Sequence, residues 1–251
     1  LDTMAGYCPL DPLTFDAPVV PFAEAVKAPA RKLRIGFTTN YGGALPVDRE
    51  TREICAREVR RFEQAGCVVE EAFPELGPVD ETFLALRSQV FLVDRELQLQ
   101  THRDLLKPDI IWNTERALQQ APSALARADR ERAALYRRFA EFFTRYDVLV
   151  TPGSATPAWD VTLKARDVID GVKLTNYIAG SALTSAITLT SCPAVSVPCG
   201  FDAYGRPVGL QIVAPARQEA LALHTAAVFE QLAGLNLLLP IDPRPGTVPP
   251  T

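Results

Sequence analysis

One stretch limits the fold of this chain more than any other. Leu33-Arg34-Ile35-Gly36-Phe37 has the apolar density of a buried strand, and Cys67-Val68-Val69-Glu70-Glu71-Ala72-Phe73 has that of a second. Between them Asp48 is placed to cap a helix running to about Ala65, in which Cys55, Val59 and Phe62 recur at i, i+4 and i+7. Gly66 supplies the stop. A strand, a helix and a strand within about forty residues make a βαβ unit, hence a parallel pair.

The remaining elements extend that unit. Val79 to Thr101 has a helical pattern, with Phe83, Leu86, Val90 and Leu97 among its apolar positions. Pro108 interrupts it, and a short helix spans Ile110 to Leu118. Pro122 breaks the chain again, and Ser123 is placed to cap a long helix whose core face is Leu135, Phe139 and Phe142. The opposite face, with Arg127, Arg130, Glu131, Arg137, Arg138 and Glu141, is a solvated surface. Asp147 to Pro152 is a short buried strand, followed by a polar loop from Gly153 to Trp159. Gly180 to Cys192 is a helix of small residues suited to close packing on a sheet. Ala194 to Pro198 and Val208 to Val213, joined by a turn at Asp202 to Arg206, predict an antiparallel hairpin. An amphipathic helix from Gln218 to Leu232 closes the pattern.

The expected fold class is therefore α/β: one mixed sheet flanked by helices, with Val195 and Leu210 on paired neighbours. Residues 1–31, broken by Pro9, Pro12, Pro18, Pro21 and Pro29, are expected to be an extended linker with a short helix near Phe22. Residues 32–251 are expected to form the α/β portion, with an irregular tail from Pro240.

Charge narrows the partners. Lys plus Arg number 26 against 30 Asp plus Glu, a net charge of −4, which does not suit non-specific nucleic-acid binding. No apolar run has the roughly 18 residues of a membrane span, and no secretory signal opens the chain. Cys8, Cys55, Cys67, Cys192 and Cys199 are odd in number and lack zinc-site spacing. Reduced thiols in a cytoplasmic protein are expected, with no metal and no cofactor.

Periodicity by itself reveals no active site. Nucleophile-elbow, phosphate-loop and dinucleotide motifs are all missing. A Cys–His hydrolase built from Cys192 or Cys199 with His224 is conceivable, but Cys199 ends a strand and His224 lies within a helix. Lys27, Lys32, Lys107, Lys164 and Lys173 all stand in polar stretches, not in apolar runs that would depress a lysine pKa.

The segment PAVSVPCGFDAYGRPVGLQ, Pro193 to Gln211, resembles the C-terminal hallmark of the amidase signature family. YDVLVTP at Tyr146 to Pro152, LRIGF at Leu33 to Phe37 and CVVEEAFPEL from Cys67 resemble further elements of it, in the family's order. MAGYCPLDPLT at Met4 to Thr14 resembles the segment just downstream of its catalytic core. The resemblance implies amide hydrolysis by a Ser–cis-Ser–Lys triad. The Gly/Ser-rich signature that carries that triad has no counterpart here, since no two serines are adjacent. No catalytic residue is therefore assigned, and the resemblance implies the C-terminal portion of such an enzyme, inactive alone.

What this portion would supply is pocket wall, and hence specificity. The resemblance points to two regions as substrate-binding: Tyr177, Ser181 and Ser185 around the small-residue helix, and Trp112 beside Asn113 together with Ser154. In tRNA-dependent glutamine amidotransferases the position of Ser181 is acidic, and Thr188 and Ser191 stand where family members carry Asn and Gly. The expected function is hydrolysis of a carboxamide C–N bond to carboxylate and ammonia or amine. Part of the amidase-like component of a tRNA-dependent amidotransferase, or a non-catalytic binding module on the same fold, are the alternatives. The expected partners are a small amide substrate and an N-terminal half or separate chain carrying the triad. A homodimer is also allowed. Neither nucleic acid nor membrane is expected. If that half is absent, the face of Gly180 to Cys192 is expected to lie uncovered.

Overall fold

Ile35, Val148, Leu210 and Ile212 are wholly buried, and they lie on adjacent strands of one sheet. A computed structural model gives this architecture and describes residues 1–163 and 165–234. Lys164 and the tail from Pro240 lie outside the described residues. The central sheet has five strands: β1 (Arg34–Phe37), β2 (Val68–Glu71), β3 (Val148–Pro152), β6 (Ala194–Phe201) and β7 (Pro207–Val213). Their order is β2-β1-β3-β7-β6. β1 pairs in parallel with β2, Ile35 opposite Val69, and in parallel with β3, Ile35 opposite Val148. β3 and β6 both pair antiparallel with β7. The mixed sheet and the antiparallel hairpin stand as expected, with Val195 opposite Ile212 and Val197 opposite Leu210.

Helices cover both faces. On one, α2 (Arg49–Glu58), the 3-10 helix Val59–Ala65 and α7 (Glu219–Ala233) enclose a core containing Ile54, Phe62, Val150, Leu210 and Phe229. On the other, α3 (Val79–Thr101), α5 (Pro122–Phe142) and α6 (Ala182–Thr190) enclose Leu135, Phe139, Leu149, Leu183 and Val213. α4 (Pro108–Leu118) packs on α3. β1 is held to the start of β3 by the Arg34 N–H, which donates to Asp147 Oδ2 at 2.7 Å across 113 residues.

Local chemistry sets the boundaries. Asp48 caps α2, its Oδ1 accepting from the N–H groups of Glu50 and Thr51 at 3.1 and 3.3 Å. Gly66 closes the following 3-10 helix at φ 78°, a left-handed conformation that costs glycine little. Ser123 does not cap α5. Ala121 is the N-cap and Pro122 takes the first helical position, where its fixed φ and missing N–H fit. Pro108 likewise opens α4 instead of interrupting it.

Two differences bear on the site. A second, two-stranded sheet, β4 (Val168–Ile169) with β5 (Val172–Lys173), lies between β3 and α6 in the chain. The helix of small residues is also covered by this chain itself. Leu183, Ser185, Ala186 and Ile187 are buried, and α6 packs on α3 and α5. Its open stripe is Ser181, Thr184 and Thr188. The expected apolar face is thus a row of small hydroxyl-bearing residues. Residues 1–31 are mostly exposed, but α1 (Phe22–Ala25) packs on α7 and buries Phe22, and Asp2 accepts from the N–H groups of Phe22 and Ala23.

Candidate functional site

Three segments meet beyond the end of β3. The first is the loop that leaves β3. The Gly153 N–H donates to the Gly209 carbonyl at 2.8 Å, and the Ala155 carbonyl accepts from the Asp48 N–H at 2.8 Å. Arg206 Nη1 donates to the Ala158 carbonyl at 2.7 Å, while Asp202 holds the same guanidinium at 2.6 Å. This loop is therefore tied to β7, to the cap of α2 and to the hairpin turn.

The second segment is the β4–β5 hairpin. Asp170 and Gly171 form its turn with φ 49° and 78°, the left-handed pair that a tight two-residue hairpin needs. Arg52 reaches the Asp170 carboxylate at 2.7 Å and anchors the turn to α2. The third segment enters α6. Asn176 Oδ1 accepts from the N–H groups of Ile178 and Ala179 at 2.9 and 3.1 Å, which folds the chain into the 3-10 turn Ala179–Ser181.

The three segments enclose a cleft of about 400 Å³. Ser154, Trp159, Arg166, Tyr177, Ser181 and Thr184 line it, over an apolar floor of Ala155, Ile169 and Leu183. Its volume suits a small organic ligand. Tyr177 is fixed from behind: Asn113 Nδ2 donates to its hydroxyl at 2.7 Å, Arg87 Nη2 approaches at 3.5 Å, and Trp112 meets its ring edge-on at 5.9 Å. Asn113 is itself buried and also donates to the Asp109 carbonyl at 2.6 Å.

Of the residues expected from the sequence, Tyr177, Ser181 and Ser154 line this cleft together. Trp112 stands behind Tyr177. Ser185, one turn beyond Ser181, is only 4% exposed and is not among the lining residues. Trp159, Arg166, Ile169 and Thr184 join the wall without a signal of their own in the sequence, because their place follows from the hairpin. Asp170-Gly171 between Val168-Ile169 and Val172 is the turn signal that points to it. A larger groove of about 510 Å³ between α3 and α5 is lined by Glu81, Arg116, Arg127 and Glu131 among others, and by none of the expected residues.

The thiol alternative lacks its geometry. Both His224 ring nitrogens are buried without a hydrogen-bond partner, so no cysteine is paired with this histidine. The hydrogen bond with Cys199 and burial push the Cys55 thiol far up, and burial also raises that of Cys192, the reverse of an activated nucleophile. Among the described residues no group of three or more His, Cys, Asp or Glu is placed to hold a metal ion. No helix there is long and apolar enough to cross a membrane.

Residues 1–223 match the family model described as Amidase. An acylamidase of Rhodococcus erythropolis is 33% identical over 236 residues, covering 92% of this chain and 48% of that enzyme. The amidase-like component (GatA type) of a glutamyl-tRNA(Gln) amidotransferase from Shouchella clausii is 28% identical over 261 residues, 94% of this chain and 52% of that one. The chain thus spans about half the length of the curated relatives it matches. Among solved structures, a bacterial aryl acylamidase of the amidase signature family superposes with a TM-score of 0.82 at 20% identity, over 92% of this chain and 50% of that one. A 6-aminohexanoate cyclic dimer hydrolase does so at 0.77 and 22%, over 91% and 51%. With its sequence matched over residues 1–223 and its sheet overlaid on those of such enzymes, the chain belongs to the amidase signature family.

Proposed function

We propose that this chain is the C-terminal portion of an amidase that hydrolyses a carboxamide C–N bond to carboxylate and ammonia or amine. It supplies scaffold and substrate wall, and the Ser–cis-Ser–Lys relay stands on a partner segment outside these 251 residues. The observation that carries the reading is the cleft itself, with Tyr177, Ser181 and Ser154 converging on one small concave site beside the open stripe of α6.

The division of labour follows from the chemistry. A serine hydroxyl attacks an amide only when a base takes its proton, and the relay provides that base. Backbone N–H groups beside the nucleophile would hold the oxyanion. The residues of this chain have a different task, to fix the scissile carbonyl at the relay and to keep bulk water from the substrate. Tyr177, held by Asn113, and the loop tied down through Gly153 and Arg206 are stiff enough for it. The neutral Ser181 favours a simple amide over the amidotransferase reading. The five free cysteines suit a reducing compartment, and the reading places the protein in the cytoplasm.

The test is to express residues 1–251 alone and together with an upstream segment bearing the Gly/Ser signature. Turnover of a simple carboxamide is expected only from the second preparation. Turnover by residues 1–251 alone, surviving Cys192→Ala and Cys199→Ala, overturns the reading.

A further inference from the structure

The cleft carries a charge for which amide hydrolysis as such has no use. Arg166 is the one charged side chain among the described residues that line it, and no carboxylate shares the wall. The acids near it in sequence are engaged elsewhere. Asp160 accepts from the Thr162 N–H at 2.8 Å and from its hydroxyl at 2.6 Å, and Asp170 is paired with Arg52. No ion pair among the described residues includes Arg166. A guanidinium on a concave wall with no counter-ion focuses a positive potential into that space.

The rest of the wall is neutral and held in place. Trp159 is 40% exposed, and its indole N–H donates to the Leu163 carbonyl at 3.2 Å. Tyr177 is held by Asn113 on the side away from solvent. Two anchored aromatic rings and an aliphatic floor accept a flat or apolar body, and hydroxyls from Ser154, Ser181 and Thr184 accept its polar edge.

We infer that the cleft selects amides whose non-scissile end carries a carboxylate, which Arg166 takes through a forked, charge-assisted hydrogen bond while Trp159 and Tyr177 enclose the body between. The inference rests on the amidase reading for the reaction, but not for the binding. A guanidinium matches a carboxylate in planarity and in spacing, which an ammonium does not. Arg166 is therefore a specificity residue, with no part in bond cleavage.

Two measurements on the full-length protein separate the inference from the reading beneath it. In the first, kcat/KM is compared for 4-acetamidobenzoate and acetanilide, which differ by the carboxylate alone. Wild type is expected to prefer the anion. Arg166→Gln should lower that preference roughly tenfold, chiefly through KM, the scale of one partly exposed charged hydrogen bond. Arg166→Lys should restore part of it, and Arg166→Glu should turn the preference toward an aminomethyl acetanilide. Equal preference in wild type and Arg166→Gln overturns the inference. In the second, benzoate and benzyl alcohol are titrated calorimetrically, which needs no turnover. Benzoate should bind wild type more tightly, and Arg166→Gln should remove the difference. Should neither anilide be hydrolysed, the amidase reading fails, and the titration still decides for or against the anion site: benzoate bound no better than the alcohol, or equally well by Arg166→Gln, overturns it.

Discussion

The two faces of the central sheet are finished differently. On the α2 and α7 face, burial continues to the last strand: Val197 and Cys199 of β6 are buried in the same core as Phe62 and Phe229. On the α3, α5 and α6 face the cover stops one strand short. Leu149 and Val213 are buried there, yet Ala194, Ser196 and Pro198 on the same side of β6 are exposed. The difference teaches where self-sufficiency ends. A covered face needs nothing more, whereas this bare strip runs from the sheet edge toward Gly153, the residue that opens the cleft loop. The proposed partner segment would complete the second face and the cleft wall together.

That contrast makes quantitative demands. The largest effect belongs to the closed face. Phe229→Ala removes a fully buried ring 5.2 Å from that of Phe62 and should cost about 3–5 kcal/mol in urea denaturation. A loss below about 1 kcal/mol would mean that this face is not the closed one. Gly36→Ala probes the sound part of the other face. A Cβ there would run into the Phe142 ring and stand 2.9 Å from the Ala72 carbonyl, so a loss of about 1–3 kcal/mol is expected by the same measurement.

A pH scan reads the rim of the closed face. Burial pushes the Glu58 carboxyl up, but the hydrogen bonds and charges of Arg61 and Arg57 outweigh it and hold the group below its ordinary value. A depressed carboxylate stabilises the fold above its unfolded pKa, and that contribution is lost as pH falls through the folded one. The denaturation midpoint should therefore fall on acidification below the ordinary glutamate range, and Glu58→Gln should flatten that part of the curve. The smallest effect is expected on the bare strip. Ser196→Ala should change stability by no more than about 0.5 kcal/mol, as at other open positions. A larger loss in the chain alone would show that the strip already has a cover.

How far the sequence led can be seen at single residues. Asp48 was legible because an N-cap is a contact of a side chain with its own next turn, which spacing encodes. Ser123 misled for the same local reason, since the preceding Pro122 claims the helix start first. The sheet could be drawn because its strands are apolar runs bounded by turn residues, and each run needs little knowledge of the others. The cleft could not. Tyr177, Ser181 and Ser154 came from family resemblance, while Trp159 and Arg166 became neighbours only when a two-residue turn folded 168–173 back. Which side of the small-residue helix would be open was also beyond the sequence. Both sides carry small residues, and packing on α3 and α5 chose Ser185 to be buried and Thr184 to be exposed.

The pairing of β1 with β3 has a consequence in time. Arg34 finds its partner Asp147 only 113 residues later. At a synthesis rate of about 5–20 residues per second, β1 and β2 wait roughly 6 to 20 s for the strand that joins them to the rest of the sheet. During that interval Ile35 and Phe37 sit on an edge with no neighbour, apolar and ready to pair with any extended chain nearby. The finished molecule hides this edge at its centre, but the nascent one must carry it in the open, which makes the stretch from Arg34 to Asp147 the window in which a chaperone has most to protect.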